Sequence, residues 1–120
     1  MAVKLAILKS GENIISVIKE GILDDKVVCY ILDEPCKVII NGTYKILDSA
    51  EDNSVNRVSI SLNKWPSLSL DKTIQLPLDW IVTIVEPNEQ LKSLYEEQVL
   101  EYERINNQTL SSTESGNSDI

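Results

Sequence analysis

Apolar and polar positions change over in short runs through residues 1–87, a spacing that suits strands better than helices. Ala2 to Leu8 is apolar apart from Lys4 and stops at Lys9, Ser10 and Gly11. Asn13 to Glu20 resumes with Ile14, Ile15, Val17 and Ile18, whose β-branched side chains fit a pleated surface. Gly21 to Lys26 reads as a turn carrying Asp24 and Asp25. Val27 to Leu32 is apolar on both faces, as a central strand covered on both sides would be. Cys36 to Ile40 follows Pro35, and Asn41-Gly42 predicts a hairpin turn into Thr43 to Leu47. Asp48 to Asn56 is polar and predicts a mobile loop. Arg57 to Asn63 alternates cleanly, with Val58, Ile60 and Leu62 on one face. Lys64 to Lys72 is irregular, Thr73 to Leu78 predicts a short strand spoiled by Pro77, and Trp80 to Val85 predicts a further strand.

The period changes after Pro87. Asn88 is a suitable N-cap and Glu89 suits the first turn. Leu91, Leu94, Tyr95, Val99, Tyr102 and Ile105 make one apolar stripe, predicting an amphipathic helix over 88–106. The stripe can dock on the chain's own sheet, or serve as a coiled-coil or partner-docking face. Residues 107–120 have the composition of a disordered acidic tail. The expected organisation is a β domain over 1–87, the helix, and the tail.

Composition then removes whole classes of function. At 120 residues with 42% hydrophobic side chains, the chain can build one core but no large enclosed active site. Histidine is absent, which excludes a His-dependent triad or zinc site. Neither Glu12 with Glu20 nor Asp33 with Glu34 is placed around a pocket by any pattern, and four glycines form no phosphate-cradling loop. Asp24-Asp25 reads as a solvated turn rather than a cation site, since its spacing does not match a calcium loop. No enzyme activity, cofactor or metal is therefore expected. Cys29 and Cys36 read as small buried hydrophobes in a reducing compartment, with a disulfide across a hairpin as the alternative.

The net charge of -8 is uneven: -3 over residues 1–87 and -5 over residues 88–120. That balance counts against strong duplex-DNA binding, but leaves room for a narrow single-strand site. The longest apolar stretch, Val27 to Leu32, is too short to span a bilayer, and no basic segment leads into a long apolar run near the N-terminus. A soluble, non-secreted chain with no membrane partner is the expectation.

Arg57 to Asn63 and Trp80 to Val85 carry neither a central proline nor an inward lysine. If they lie at sheet edges, they are templates for another chain. Head-to-tail pairing of such edges can close a ring; a closed monomeric barrel is the alternative.

The order of pieces resembles a known family. Leu8-Lys9-Ser10-Gly11, Ile14 to Ile18, the Gly21 to Lys26 turn and Val27 to Leu32 resemble the first half of an Sm-like (LSm) domain. Arg57 to Asn63, then Leu76-Pro77-Leu78-Asp79 leading into Trp80 to Ile84, resemble its second half. The run LKSGENIISVIKEGILDDKVVCYILDEP is similar to the small Sm-like proteins encoded by marine cyanophages of the contractile-tailed type. The resemblance covers about residues 3 to 87 and leaves out the C-terminal helix and tail.

It implies a mainly β fold: a five-stranded, strongly bent antiparallel sheet, an open barrel. It also implies a homo-oligomeric ring of about five to seven subunits, in the cytoplasm of a bacterial host during phage infection. Subunits would join by pairing Arg57 to Asn63 with Trp80 to Val85, which makes Val58, Ile60, Leu62, Trp80, Val82 and Ile84 the candidate interface. Rings of this family bind single-stranded RNA by stacking bases on loop side chains. Here the family's aromatic-Asp and Asn are replaced around Leu23, Asp24, Asp25 and Lys26, and its Arg-Gly by Leu78-Asp79, so its RNA site does not carry over directly. Candidate nucleic-acid residues are Lys26, Tyr44, Arg57, Lys64 and Trp65, chosen as stacking rings and nearby cations. The alternative is a structural, virion-associated or adaptor ring whose partners are proteins.

Overall fold

Strand β1 (Val3–Leu8) pairs with β2 (Asn13–Leu23), and β2 in turn with β3 (Lys26–Leu47), all antiparallel, in the computed structural model that describes residues 2–47 and 54–101. Side chains of 43–58 lie outside the description. The β2–β3 connection is narrower than the expected six-residue turn. Asp24 and Asp25 alone form it, with φ of 51° and 61°, the positive pair a type I′ hairpin turn requires. Gly21 belongs to the strand.

β3 is one strand where the sequence predicts three, Val27 to Leu32, Cys36 to Ile40 and Thr43 to Leu47. Asp33, Glu34 and Pro35 do not interrupt it: Glu34 (φ 52°) and Pro35 bulge opposite Ser16, between the pairs Ile15–Cys36 and Val17–Asp33. The Asn41-Gly42 turn is also corrected. These residues make a bulge, not a hairpin, because β4 (Ser54–Lys64) pairs with β3 on both sides of them, Val38 with Leu62 and Thr43 with Val58. Gly42 takes φ 143°, and Asn41 donates its Nδ2–H to Ser61 Oγ at 2.6 Å. Glycine's freedom serves a bulge as well as a turn; the long-range partner decides which. Ser54 to Asn56, expected in a loop, begin β4; residues 48–53 of that loop lie outside the described residues.

β5 (Thr73–Pro77) ends at Pro77, where the missing N–H costs no ladder bond inside the strand. A short 3-10 turn, Leu78–Trp80, leads into β6 (Ile81–Val85), which pairs with β1; Trp80 is thus in the turn, not the strand. The sheet order is β4-β3-β2-β1-β6, with β5 also on β3. β2 occupies one flank of β3, so β4 and β5 share the other, meeting it at Cys36–Lys64 and Asp33–Thr73. Among the described residues the sheet has six strands, the short β5 lying beside the five of the main order because the irregular stretch after Lys64 separates it from β4.

The core gathers Ala6, Leu8, Ile14, Ile18, Leu32 and Leu76, with Tyr30, Trp65, Ile74, Ile81 and Ile84 packed on it. Each fully buried Leu or Ile contributes about 1.5–3 kcal/mol. Apart from Trp65, which follows β4, these residues come from β1, β2, β3, β5 and β6, so the sheet curls around them, but among the described residues it does not close: β4 and β6 end the pairing order. Ser16 is buried among apolar neighbours and donates its hydroxyl to the Asp33 carbonyl at 2.7 Å, which satisfies both groups.

The described residues 88–101 belong to a second unit, separate from Met1–Pro87. Asn88 caps helix α1 (Glu89–Tyr95) as expected, its Oδ1 accepting from the Leu91 N–H at 2.8 Å. Leu91 and Tyr95 are its buried side chains, and a π-helical stretch continues over Glu96–Glu101. Tyr102, Ile105 and the tail over 107–120 lie outside the described residues.

Candidate nucleic-acid and subunit interfaces

The five candidate nucleic-acid residues fall into three places. Lys64 closes β4 and Trp65 follows it; Tyr44 and Arg57 are backbone partners across β3 and β4; Lys26 opens β3 and is exposed. Along β3, at about 3.3 Å per residue, Lys26 lies roughly 33 Å and Tyr44 roughly 26 Å from Cys36, the residue opposite Lys64. The side chains of Tyr44, Arg57 and Val58 lie outside the described residues.

Around Trp65 the fold adds residues the sequence does not single out. Trp65 packs on the core and lines an open cavity of about 310 Å³ with Glu12, Lys37, Ile39, Asn63, Lys64, Pro66 and Ser67. Lys37 and Asn63 are partners across β3 and β4, so their meeting is a matter of register. Lys37 Nζ sits 3.5 Å from Glu12 Oε2, and Ser10 Oγ donates to Glu12 Oε1 at 2.8 Å. Lys64 Nζ donates to the Ser69 carbonyl and, at 3.2 Å, to that of Asp71. An indole with two ammonium groups and an amide suits a flat ring bearing an anion, while Glu12 restrains how much negative charge Lys37 accepts.

The candidate interface residues divide by exposure. Val82 is 64% and Trp80 42% exposed, whereas Ile60 and Leu62 are half-buried and Ile84 packs on the core. Val82 is the extra residue of a bulge between the pairs Ile7–Thr83 and Leu8–Ile81.

Two groups carry shifted protonation. The hydrogen bond from Lys19 Nζ (2.8 Å), with a second from Thr73 Oγ1 (2.9 Å), holds the Asp33 carboxyl below its ordinary value against the opposing effect of burial. These bonds tie β2, β3 and β5 together. Both cysteines are free and buried. Burial, and secondarily the Glu34 carboxylate, pushes the Cys36 thiol up to about 11, with Lys64 opposing. Its folded value lies above its ordinary 9.0, so the linked stability is fully present below that pH and is lost as pH rises through about 11. Iodoacetamide should accordingly label Cys36 of the folded chain slowly at pH 8.5 and much faster in urea. Equal rates in the two states, followed by mass spectrometry, would show the thiol to be neither buried nor raised.

Comparison with models of known protein families finds none that matches this chain, and comparison with curated proteins finds no match.

Proposed function

We propose that this chain is a non-enzymatic, Sm-like subunit that assembles into a homo-oligomeric ring and binds single-stranded nucleic acid, RNA foremost, during phage infection. The observation that carries the proposal is the pair of strands ending the sheet order, β4 and β6, on an antiparallel sheet that curls without closing. Unpaired backbone groups on two such edges satisfy one another when copies join head to tail, and a curved subunit turns that repeat into a closed ring. The nucleic-acid part draws its support from Trp65 with Lys37, Asn63 and Lys64 around one cavity. A base stacks on the indole there, worth about 1–3 kcal/mol, and the lysines meet phosphate.

Fluorescence anisotropy with a labelled uridine-rich oligonucleotide tests this. Lys64→Ala should weaken binding several-fold and flatten its salt dependence, because one phosphate contact is lost. Unchanged affinity and slope in Lys64→Ala, Lys37→Ala and Lys26→Ala alike would remove the site. A second reading, a ring that adapts proteins to one another, draws on the β2–β3 tip, where exposed Ile22 and Leu23 adjoin Asp24 and Asp25. An apolar tip with an acidic turn suits a basic, apolar protein segment better than a polyanion.

A further inference from the structure

The ribbon made by β2 and β3 runs on past β1. β1 accompanies β2 only as far as the pair Val3–Val17, and one further bond, from Ile18 N–H to the Ala2 carbonyl at 3.0 Å, ends that flank. β3 stays with β2 to the pair Leu23–Lys26, so among the described residues 19–23 are paired on one side alone. Backbone groups of alternate residues point to the same flank of a strand. Ile18 points toward β1, so Glu20 and Ile22 do as well, and no described strand meets them there.

This short edge lacks the usual protections. It holds no proline, and its lysine, Lys19, is drawn across to Asp33 Oδ2 at 2.8 Å. What it presents is apolar and acidic. Ile22 and Leu23 are 66% and 63% exposed and, being consecutive in a strand, stand on opposite faces. Val28, the extra residue of the bulge between the pairs Gly21–Cys29 and Ile22–Val27, is exposed as well. Glu20, Asp24 and Asp25 outnumber Lys26 at the tip, all four of them exposed.

We infer that the open flank of β2 at residues 19–23 takes up an extended segment of a partner protein as an added strand, a segment with adjoining apolar residues and Lys or Arg beside them; this rests on the protein-partner reading above. Glu20 and Ile22 supply the backbone bonds, Ile22 and Leu23 meet an apolar side chain on each face, and Asp24 and Asp25 meet the incoming cations. Charge selects this occupant over a nucleic acid, whose phosphates would face three carboxylates and which has no amide ladder to match the edge.

Fluorescence anisotropy on the full chain tests it, with a labelled peptide of Lys, Val and Ile, the Val and Ile adjacent, as the probe. N-methylation of every backbone nitrogen in that peptide removes its donors to the edge and should weaken binding by roughly tenfold or more. Asp24→Asn/Asp25→Asn keeps the turn, since Asn also accepts positive φ, and should weaken binding roughly fivefold and flatten its salt dependence. Ile22→Pro removes the outward N–H without taking a bond from the β3 ladder, and should weaken binding while keeping the circular dichroism spectrum. Equal binding of the N-methylated peptide overturns strand addition. Binding that both protein variants leave unchanged overturns this edge as the site and leaves the protein-partner reading standing. No peptide bound at millimolar concentration, with a uridine-rich oligonucleotide held more tightly by Asp24→Asn/Asp25→Asn than by wild type, gives the tip to nucleic acid and overturns both.

Discussion

Gly21→Ala should destabilise the fold by about 2–3 kcal/mol, a large loss for one methyl group. A Cβ at Gly21 would lie 2.3 Å from Cys29 Sγ, far inside van der Waals contact, with the Cys29 carbonyl oxygen and Ile31 Cδ1 each at 3.6 Å. Cys29 has a single χ angle, is buried, and accepts a hydrogen bond from Gln75 Nε2 at 3.4 Å, so moving the sulfur away breaks that bond. Removing the sulfur should remove the conflict. Gly21→Ala/Cys29→Ala is therefore expected within about 1 kcal/mol of wild type, helped by alanine's lower entropy in the unfolded chain. Urea unfolding of the two single variants and the double variant gives the coupling directly. A Gly21→Ala chain as stable as wild type, or a double variant no better than Gly21→Ala, would mean that Gly21 does not face this sulfur.

In the proposed ring, Val82→Glu should abolish assembly while leaving the subunit folded. Val82 is exposed on β6 and occupies a bulge, so a glutamate there costs the isolated subunit no more than about 0.5 kcal/mol, as for most surface changes. At a paired edge the same carboxylate would be desolvated between strands and would add to the negative charge of Asp79 and Glu86. Assembly should weaken by at least a hundredfold, leaving single chains at micromolar concentration. An unchanged assembled mass would place Val82 outside the interface.

How much of this was legible depended on whether the deciding interaction was local. Arg57 to Asn63 and the Asn88 cap were read from their own residues because alternation and capping chemistry are satisfied within a few positions. Asn41-Gly42 announced a glycine conformation, but only pairing with β4 on both sides turned it into a bulge. Gly21 looked like turn chemistry, whereas the requirement is the sulfur of Cys29 on the next strand. Trp65 and Lys64 were found as a ring beside a cation. Their companions Lys37 and Asn63 were not, since register across a 22-residue strand with three bulges leaves no mark in either segment. Leu68 and Leu70, almost wholly exposed on the connection between β4 and β5, show the same limit: in sequence nothing separates them from core leucines.

In the proposed ring, the two open edges of the sheet pair with one another in different copies. Size-exclusion chromatography of the wild-type chain with light scattering, recording absorbance at 260 and 280 nm, tests it most directly. A mass several times that of one chain is expected, with excess absorbance at 260 nm where nucleic acid accompanies the ring. A peak at the mass of a single chain, unchanged from micromolar to millimolar concentration, would contradict it.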